Sequence, residues 1–250
     1  MSMQVHASQW IPHRDGTLDG ASQQRSAAGA EGEHMARIVI LGGTGYAGGH
    51  LAQEAADRGH DVLALSRTAP EQVPAGVTHR AGDVREESFL AEALDGADVV
   101  VSALSPRGDM ADLEAFRALI ASVARLAREK GVRLGVIGGA GSLLVAEGGP
   151  KLVDTPEFPK EFAEEPRVLD AVLQDLRGAE EGLDWFFVSP AGGFGSFAPG
   201  ERTGAYRVGG DVLLSDENGD SNLSGQDLAV ALVDEIETPA HRRTRFTVAY

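Results

Sequence analysis

No cysteine occurs among the 250 residues. Disulfides, thiolate metal sites and cysteine nucleophiles are thereby excluded. A chain without disulfides suits a reducing compartment, and a cytoplasmic location is the expectation. Lysine is nearly absent too, confined to Lys130, Lys151 and Lys160. No apolar run approaches the roughly 18–20 residues of a membrane span, and the opening stretch MSMQVHASQWIPHRDG lacks a continuous apolar core of the secretory kind. Positive charge is in short supply: 22 basic against 38 acidic side chains leave a formal net charge of −16. Such a field repels phosphate backbones and anionic headgroups, so neither nucleic acid nor membrane is an expected partner. The seven histidines show no metal-ligand spacing, and no metal is expected. A Gly-x-Ser-x-Gly nucleophile elbow is missing as well.

What is present is ordinary for a globular protein, with 42% hydrophobic and 24% charged residues. The length alone suits one large α/β domain or two small ones. Residues 1–34 stand apart. They are rich in Ser, Gln, Gly, His and Ala and have no helical or strand period. They read as a disordered extension or a start site placed too early. Their one bulky apolar cluster, at Trp10, leaves a second reading as a partner-binding tail.

From Met35 onward, strand-like and helix-like segments alternate. Arg37–Leu41 is a short β-branched run, followed by a helix over 46–58 that Gly59 stops. Strands are expected at 61–65, 77–80, 98–104, 134–137 and 185–188, the last broken by Pro190. Helices are expected at 86–94, 111–130 and 167–177, with 144–165 irregular. Two short strand-like runs lie at 205–208 and 212–214. The sequence Ser224-Gly-Gln-Asp227 is a capping box opening a last helix, and a last strand follows at 245–249. Strands separated by helices mean βαβ units. The expected fold is α/β: a Rossmann-type, doubly wound parallel sheet in three layers with a small C-terminal substrate lobe. Residues 35–250 then form a single domain, with 191–223 as a substrate-side insertion.

The strongest motif is Gly42-Gly43-Thr44-Gly45-Tyr46-Ala47-Gly48, directly after the first strand and opening the first helix. In the Gly42-x-x-Gly45-x-x-Gly48 spacing, the first glycine permits a tight turn. The second lets a pyrophosphate approach the backbone, and the third lets helix and strand pack closely. The helix N-terminus then presents N–H groups and a positive dipole to the phosphates. The strand–turn–helix context is what a dinucleotide site requires. It is not a P-loop, since no Gly-Lys-Ser/Thr follows. The second strand ends Leu65-Ser66-Arg67, with no carboxylate placed to take a ribose 2′-hydroxyl. Arg67 can stack on adenine and pair with a 2′-phosphate, and Ser66 can donate to it. NADP(H) is therefore expected over NAD(H).

These residues, with Gly82-Asp83-Val84, Ser102-Ala103-Leu104, Gly138-Gly139-Ala140-Gly141-Ser142, Ser189-Pro190-Ala191 and the ending Arg245–Tyr250, carry a family resemblance. From Met35 the chain resembles the atypical short-chain dehydrogenase/reductase superfamily. More narrowly, it is similar to the single-domain NAD(P)H-binding proteins described as NADH–flavin reductases and to NmrA-like proteins. The resemblance implies that Asp83 and Val84 flank the adenine. It implies that Ala103, Leu104 and Ser105 line the ribose side, Gly139 and Ala140 sit near the nicotinamide ribose, and Pro190 and Ala191 lie near the nicotinamide. Ser142 has two readings, a substrate-facing catalytic hydroxyl or a plain turn residue.

One departure is chemical. Many superfamily members use Tyr-x-x-x-Lys to protonate a carbonyl, yet Leu126, Glu147 and Pro156 stand four residues before the three lysines. Hydride addition to a ketone builds an alkoxide that needs a nearby acid. A flavin, quinone or extended conjugated acceptor spreads the charge over itself, and the protein then supplies mainly orientation. Two readings fit: a flavin-reductase-like NADPH oxidoreductase acting on a small-molecule acceptor, or a non-catalytic NADP(H)-binding sensor. An epimerase or lyase needs the missing pair and a larger C-terminal lobe. The acceptor and the oligomeric state are not legible.

Overall fold

Apolar runs of four to six residues alternate with amphipathic stretches, and each takes the form its period dictates. The computed structural model describes residues 35–250. The 1–34 extension and the Trp10 tail lie outside the described residues. The first half runs β1 (Arg37–Leu41), α1 (Tyr46–Asp57), β2 (Asp61–Ser66), β3 (Val77–Ala81), α2 (Glu87–Ala93) and β4 (Val99–Ser102). The second half runs α3 (Leu113–Lys130), β5 (Arg133–Ile137), α4 (Glu164–Arg177), β6 (Trp185–Pro190), β7 (Arg207–Gly209), α5 (Gly225–Glu237) and β8 (Thr244–Ala249).

The strands form one eight-stranded sheet in the order β3-β2-β1-β4-β5-β6-β8-β7. All pairings are parallel except β7 on β8. The order reverses between β1 and β4, the switch point at which doubly wound sheets bind ligands. Alternate strand residues point to opposite faces. Val39, Leu41, Val100, Val136 and Phe187 pack under α2, α3 and α4. Ile38, Ile40, Val101, Phe186 and Val188 pack under α1 and α5. The expected three-layer Rossmann-type fold is therefore present.

Several boundaries differ from the sequence reading. β6 runs two residues past the expected Val188 and ends on Pro190, which stays in the ladder opposite Val248. The Val188 carbonyl accepts from Gly138 N–H, so even-numbered residues of β6 face β5. β5 ends opposite Val188, so the N–H that proline lacks is one no strand needed. Helix α4 starts at Glu164, three residues before the expected Arg167, and takes Pro166 into its first turn, where a missing N–H costs nothing. Val212 makes only an isolated bridge to Leu144, so 212–214 is not a strand.

The capping box is half formed. Ser224 Oγ accepts from Asp227 N–H at 3.0 Å, but Ser224 N–H donates to Tyr250 Oη. The Asp227 carboxylate instead accepts from Thr203 N–H, Gly204 N–H and Tyr250 Oη at 2.9, 2.8 and 2.5 Å. Burial opposes the charge on Asp227, but the hydrogen bonds from Tyr250 and Thr203 outweigh it and hold its pKa below the ordinary carboxylate value. A buried anion thus ties the 191–223 segment to α5 and the C-terminal residue.

Candidate functional site

The chain reverses immediately after β1. Gly42 has φ of 80°, a left-handed conformation open to glycine without penalty. Its N–H and that of Gly43 both donate to the Leu65 carbonyl, at 2.9 and 3.0 Å, which fastens the turn to the end of β2. A Cβ at Gly48 would stand 2.3 Å from the Gly42 carbonyl oxygen, so α1 seats directly on the turn. Gly43, which the spacing argument passed over, is equally confined: its Cβ would fall 2.6 Å from Ala64 Cβ. Gly45 is the open position, where a Cβ would meet only the Gly42 carbonyl oxygen at 3.3 Å. It N-caps α1 with no side-chain bond. The first-turn N–H groups, among them those of Tyr46 and Ala47, are therefore uncapped by any side chain, the condition that makes a helix N-terminus an anion site.

In front of this turn lies a cleft of about 260 Å³. Of the residues singled out from the sequence, Gly42, Thr44, Gly45, Ser66, Arg67, Val84, Ala103, Leu104 and Ser105 line it. They come from the carboxyl ends of β1, β2, β3 and β4, brought together by the strand order. Leu65, Thr68, Gly82, Arg107 and Met110 also line it and were not proposed. Arg107 and Met110 follow β4 in an irregular loop, and no spacing rule marks them. A second hollow, about 210 Å³, lies between α3 and α4 over Ile120, Val172 and Leu176. It is remote from the glycine turn and the strand ends.

The cleft holds the local positive charge that an acidic chain needs in order to hold a polyanion, but its cations are not idle. Arg67 pairs with Asp109, and Arg107 pairs with Glu165 at 2.5 Å. Ser66 Oγ donates to the Thr68 carbonyl at 2.7 Å and lies 2.7 Å from His79 Nε2. Asp83 is not part of the lining. It grips Arg85 in a bidentate pair at 2.6 and 2.9 Å, and that hydrogen bonding, against the cost of burial, lowers its pKa.

Other candidates fall outside the cleft. Tyr46 Oη donates to the Pro199 carbonyl at 3.2 Å and accepts from Gly225 N–H at 3.1 Å, so its hydroxyl ties α1 to the 191–223 segment and α5. Gly139 and Ala140 follow β5, and Pro190 and Ala191 lie at the end of β6. These two strand ends adjoin β4 along the same edge of the sheet. Ser142 is 4% exposed. Its Oγ accepts from Arg245 Nη1 at 2.8 Å, and Arg245 Nε donates to Asp211 at 2.7 Å. That hydroxyl serves an internal tether from the turn after β5 to β8. Among the described residues no group of three or more metal-capable side chains occurs, and no helix is long and apolar enough to cross a membrane.

Residues 42–239 match the family described as NAD(P)H-binding, a span running from the glycine turn to just past α5. The chain belongs to this family. The uncharacterized protein YwnB of Bacillus subtilis is 40% identical over 215 residues, 85% of this chain and 97% of its own. A Streptococcus pneumoniae structure described as a “putative NADH-flavin reductase” has a TM-score of 0.77 at 32% identity, covering 86% of this chain and 99% of that one. A “putative exported protein” of Burkholderia pseudomallei has a TM-score of 0.75 at 40% identity, covering 86% and 100%. The resemblance to atypical short-chain dehydrogenase/reductases and the nicotinamide cofactor class both agree with this membership.

Proposed function

We propose that the protein is an NADPH-dependent oxidoreductase that passes hydride to a flavin, a quinone or another conjugated small-molecule acceptor. The observation that carries this reading is one cleft bounded by both the glycine turn and Arg67. The residues there suit a dinucleotide. A Cβ at Gly42 would press on Ala103 and Leu104 of the cleft lining, and one at Gly48 would push α1 off the turn; the uncapped first turn of α1 offers N–H donors to a pyrophosphate. Arg67, with Ser66 beside it, provides a cation where a 2′-phosphate would need one.

On this reading Val84 and Leu104 give the adenosine end apolar walls, and Ala103 and Ser105 bound the ribose. Gly139, Ala140, Pro190 and Ala191 lie along the next strand ends, where the nicotinamide half would extend. The bound cofactor supplies hydride. The chain's own residues bind it, orient it and limit water around it. Reduction of a conjugated acceptor asks for no dedicated acid, and the sequence holds no Tyr-x-x-x-Lys pair. The kinship with a protein described as an NADH-flavin reductase supports the same class. Residues 35–250 serve as the working domain, in a reducing, NADPH-supplied cytoplasm.

The test is NADPH oxidation, followed by loss of its near-ultraviolet absorbance, with FMN, riboflavin and a quinone series as acceptors. Turnover on one class with NADPH favoured over NADH is the expected result. Tight NADPH binding without turnover on any acceptor would replace this reading with a non-catalytic NADP(H) sensor.

A further inference from the structure

The cation that reads the 2′-phosphate already has a partner. Arg67 follows β2 on one wall of the cleft. Asp109 lies in the loop between β4 and α3, in a single helical turn at Gly108–Met110 whose Met110 also lines the cleft. The two side chains meet as an ion pair beside the cleft. Arg67 is 52% exposed and Asp109 72% exposed, so solvent screens the pair and little energy holds it. Two further charges share this corner: Arg85 feels the Asp109 carboxylate, and Asp83 feels the Arg67 guanidinium. The four groups balance. Removing Asp109 alone would leave one excess positive charge where an incoming phosphate carries close to two negative ones.

We propose that Asp109 is a specificity-determining residue, a built-in competitor for Arg67 that sets how strongly the site prefers NADP(H) over NAD(H). The proposal rests on the reading of the cleft as the adenosine end of a dinucleotide site. A 2′-phosphate must compete with the Asp109 carboxylate, which already holds Arg67 through Nη1, for the charge and donors of the guanidinium. NADH has a hydroxyl there and forces no exchange. Asp109 therefore lowers affinity for the phosphorylated cofactor alone, by about as much as an exposed ion pair is worth. The preference is set by an aspartate on the β4–α3 loop as well as by the residues that end β2.

Binding of NADPH, NADH and the fragments 2′,5′-ADP and 5′-ADP is measured by calorimetry for the wild type and for Asp109→Asn, Asp109→Ser and Arg67→Ala. Asp109→Asn should tighten NADPH and 2′,5′-ADP roughly three- to fivefold, the range expected when an exposed ion pair is released. NADH and 5′-ADP should change less than about twofold on the same argument, because they carry no phosphate at that corner. The gain should shrink as salt is raised, and Asp109→Asn added to Arg67→Ala should give little of it. Asp109→Ser repeats the test without the amide. Equal gains for both cofactors, or no gain for the phosphorylated ligands in either Asp109 variant, would overturn the proposal while leaving the site intact. A wild-type protein that binds none of the four ligands would overturn the reading of the cleft, and the proposal with it.

Discussion

Two neighbouring glycines of α1 should respond in opposite ways to the same added methyl group. A Cβ at Gly48 would stand 2.3 Å from the Gly42 carbonyl oxygen and 2.9 Å from its carbonyl carbon, both backbone atoms that cannot swing aside. To reach ordinary contact, α1 must withdraw from the turn by roughly an ångström, because close-packed interiors have no slack to absorb it. Overpacking of this kind costs about 1–3 kcal/mol, and the gain from replacing a helical glycine offsets about 1 kcal/mol of it. Gly48→Ala should therefore lose about 0–2 kcal/mol of stability, with the melting temperature falling by roughly 2–4 °C per kcal/mol. The larger effect should be on binding. Losing even one charge-assisted N–H contact to the pyrophosphate is worth about 1.5–3 kcal/mol, at least tenfold in affinity. At Gly49 the nearest atom to an added Cβ is the Gly43 carbonyl oxygen at 3.8 Å. Gly49→Ala should therefore stabilise by about 0.5–1 kcal/mol and leave NADPH binding unchanged. Thermal melts and NADPH fluorescence titration of the two variants check this. Wild-type affinity in a folded Gly48→Ala protein, or a loss of stability in Gly49→Ala, would refute the argument that α1 is seated on the turn to serve a phosphate.

Three other outcomes follow from single contacts. Arg67→Ala should weaken NADPH by about 1–3 kcal/mol, the worth of a charge-assisted contact, and leave NADH nearly unchanged; competitive titration of the two cofactors reads the difference. Ser142→Ala should spare turnover with every acceptor and lower stability by about 1–2 kcal/mol, since its hydroxyl holds the Arg245 guanidinium; a large fall in kcat with unchanged melting would reverse that assignment. Glu235 is buried, which opposes its charge, but His241 and Arg133 hydrogen-bond it and hold its pKa at about 2. Because the folded value lies below the unfolded one, near 4.5, this group's stabilisation is complete above that value and is lost as pH falls toward 2. Melting temperature against pH should lose part of its acid slope in Glu235→Gln.

Much of this architecture follows from local pattern. The β-branched runs at Arg37–Leu41 and Val99–Ser102, the stripe from Phe116 to Ala127 and the glycine turn each declare their form within a dozen residues. Local stereochemistry and periodic burial act at that range. That β6 can take Pro190 as its last residue depends on where β5 stops, a fact no window around residue 190 contains. Arg107 and Asp109 sit in a loop without period, and their meaning comes from the Glu165 carboxylate and the Arg67 guanidinium that folding sets against them.

The sequence by itself determined that a parallel α/β sheet would form and that its first turn could accept a phosphate. Glycine spacing and apolar period leave few alternatives for either. Only the tertiary structure decided which charges meet there. Arg67 reads from the sequence as a free cation ending a strand, yet folding places Asp109 against it from 42 residues away. Ser142 reads as either a substrate-facing hydroxyl or a plain turn residue, and folding buries it on Arg245, 103 residues on. Coulomb and hydrogen-bond partners are chosen by distance in space, and distance along the chain carries almost none of that information.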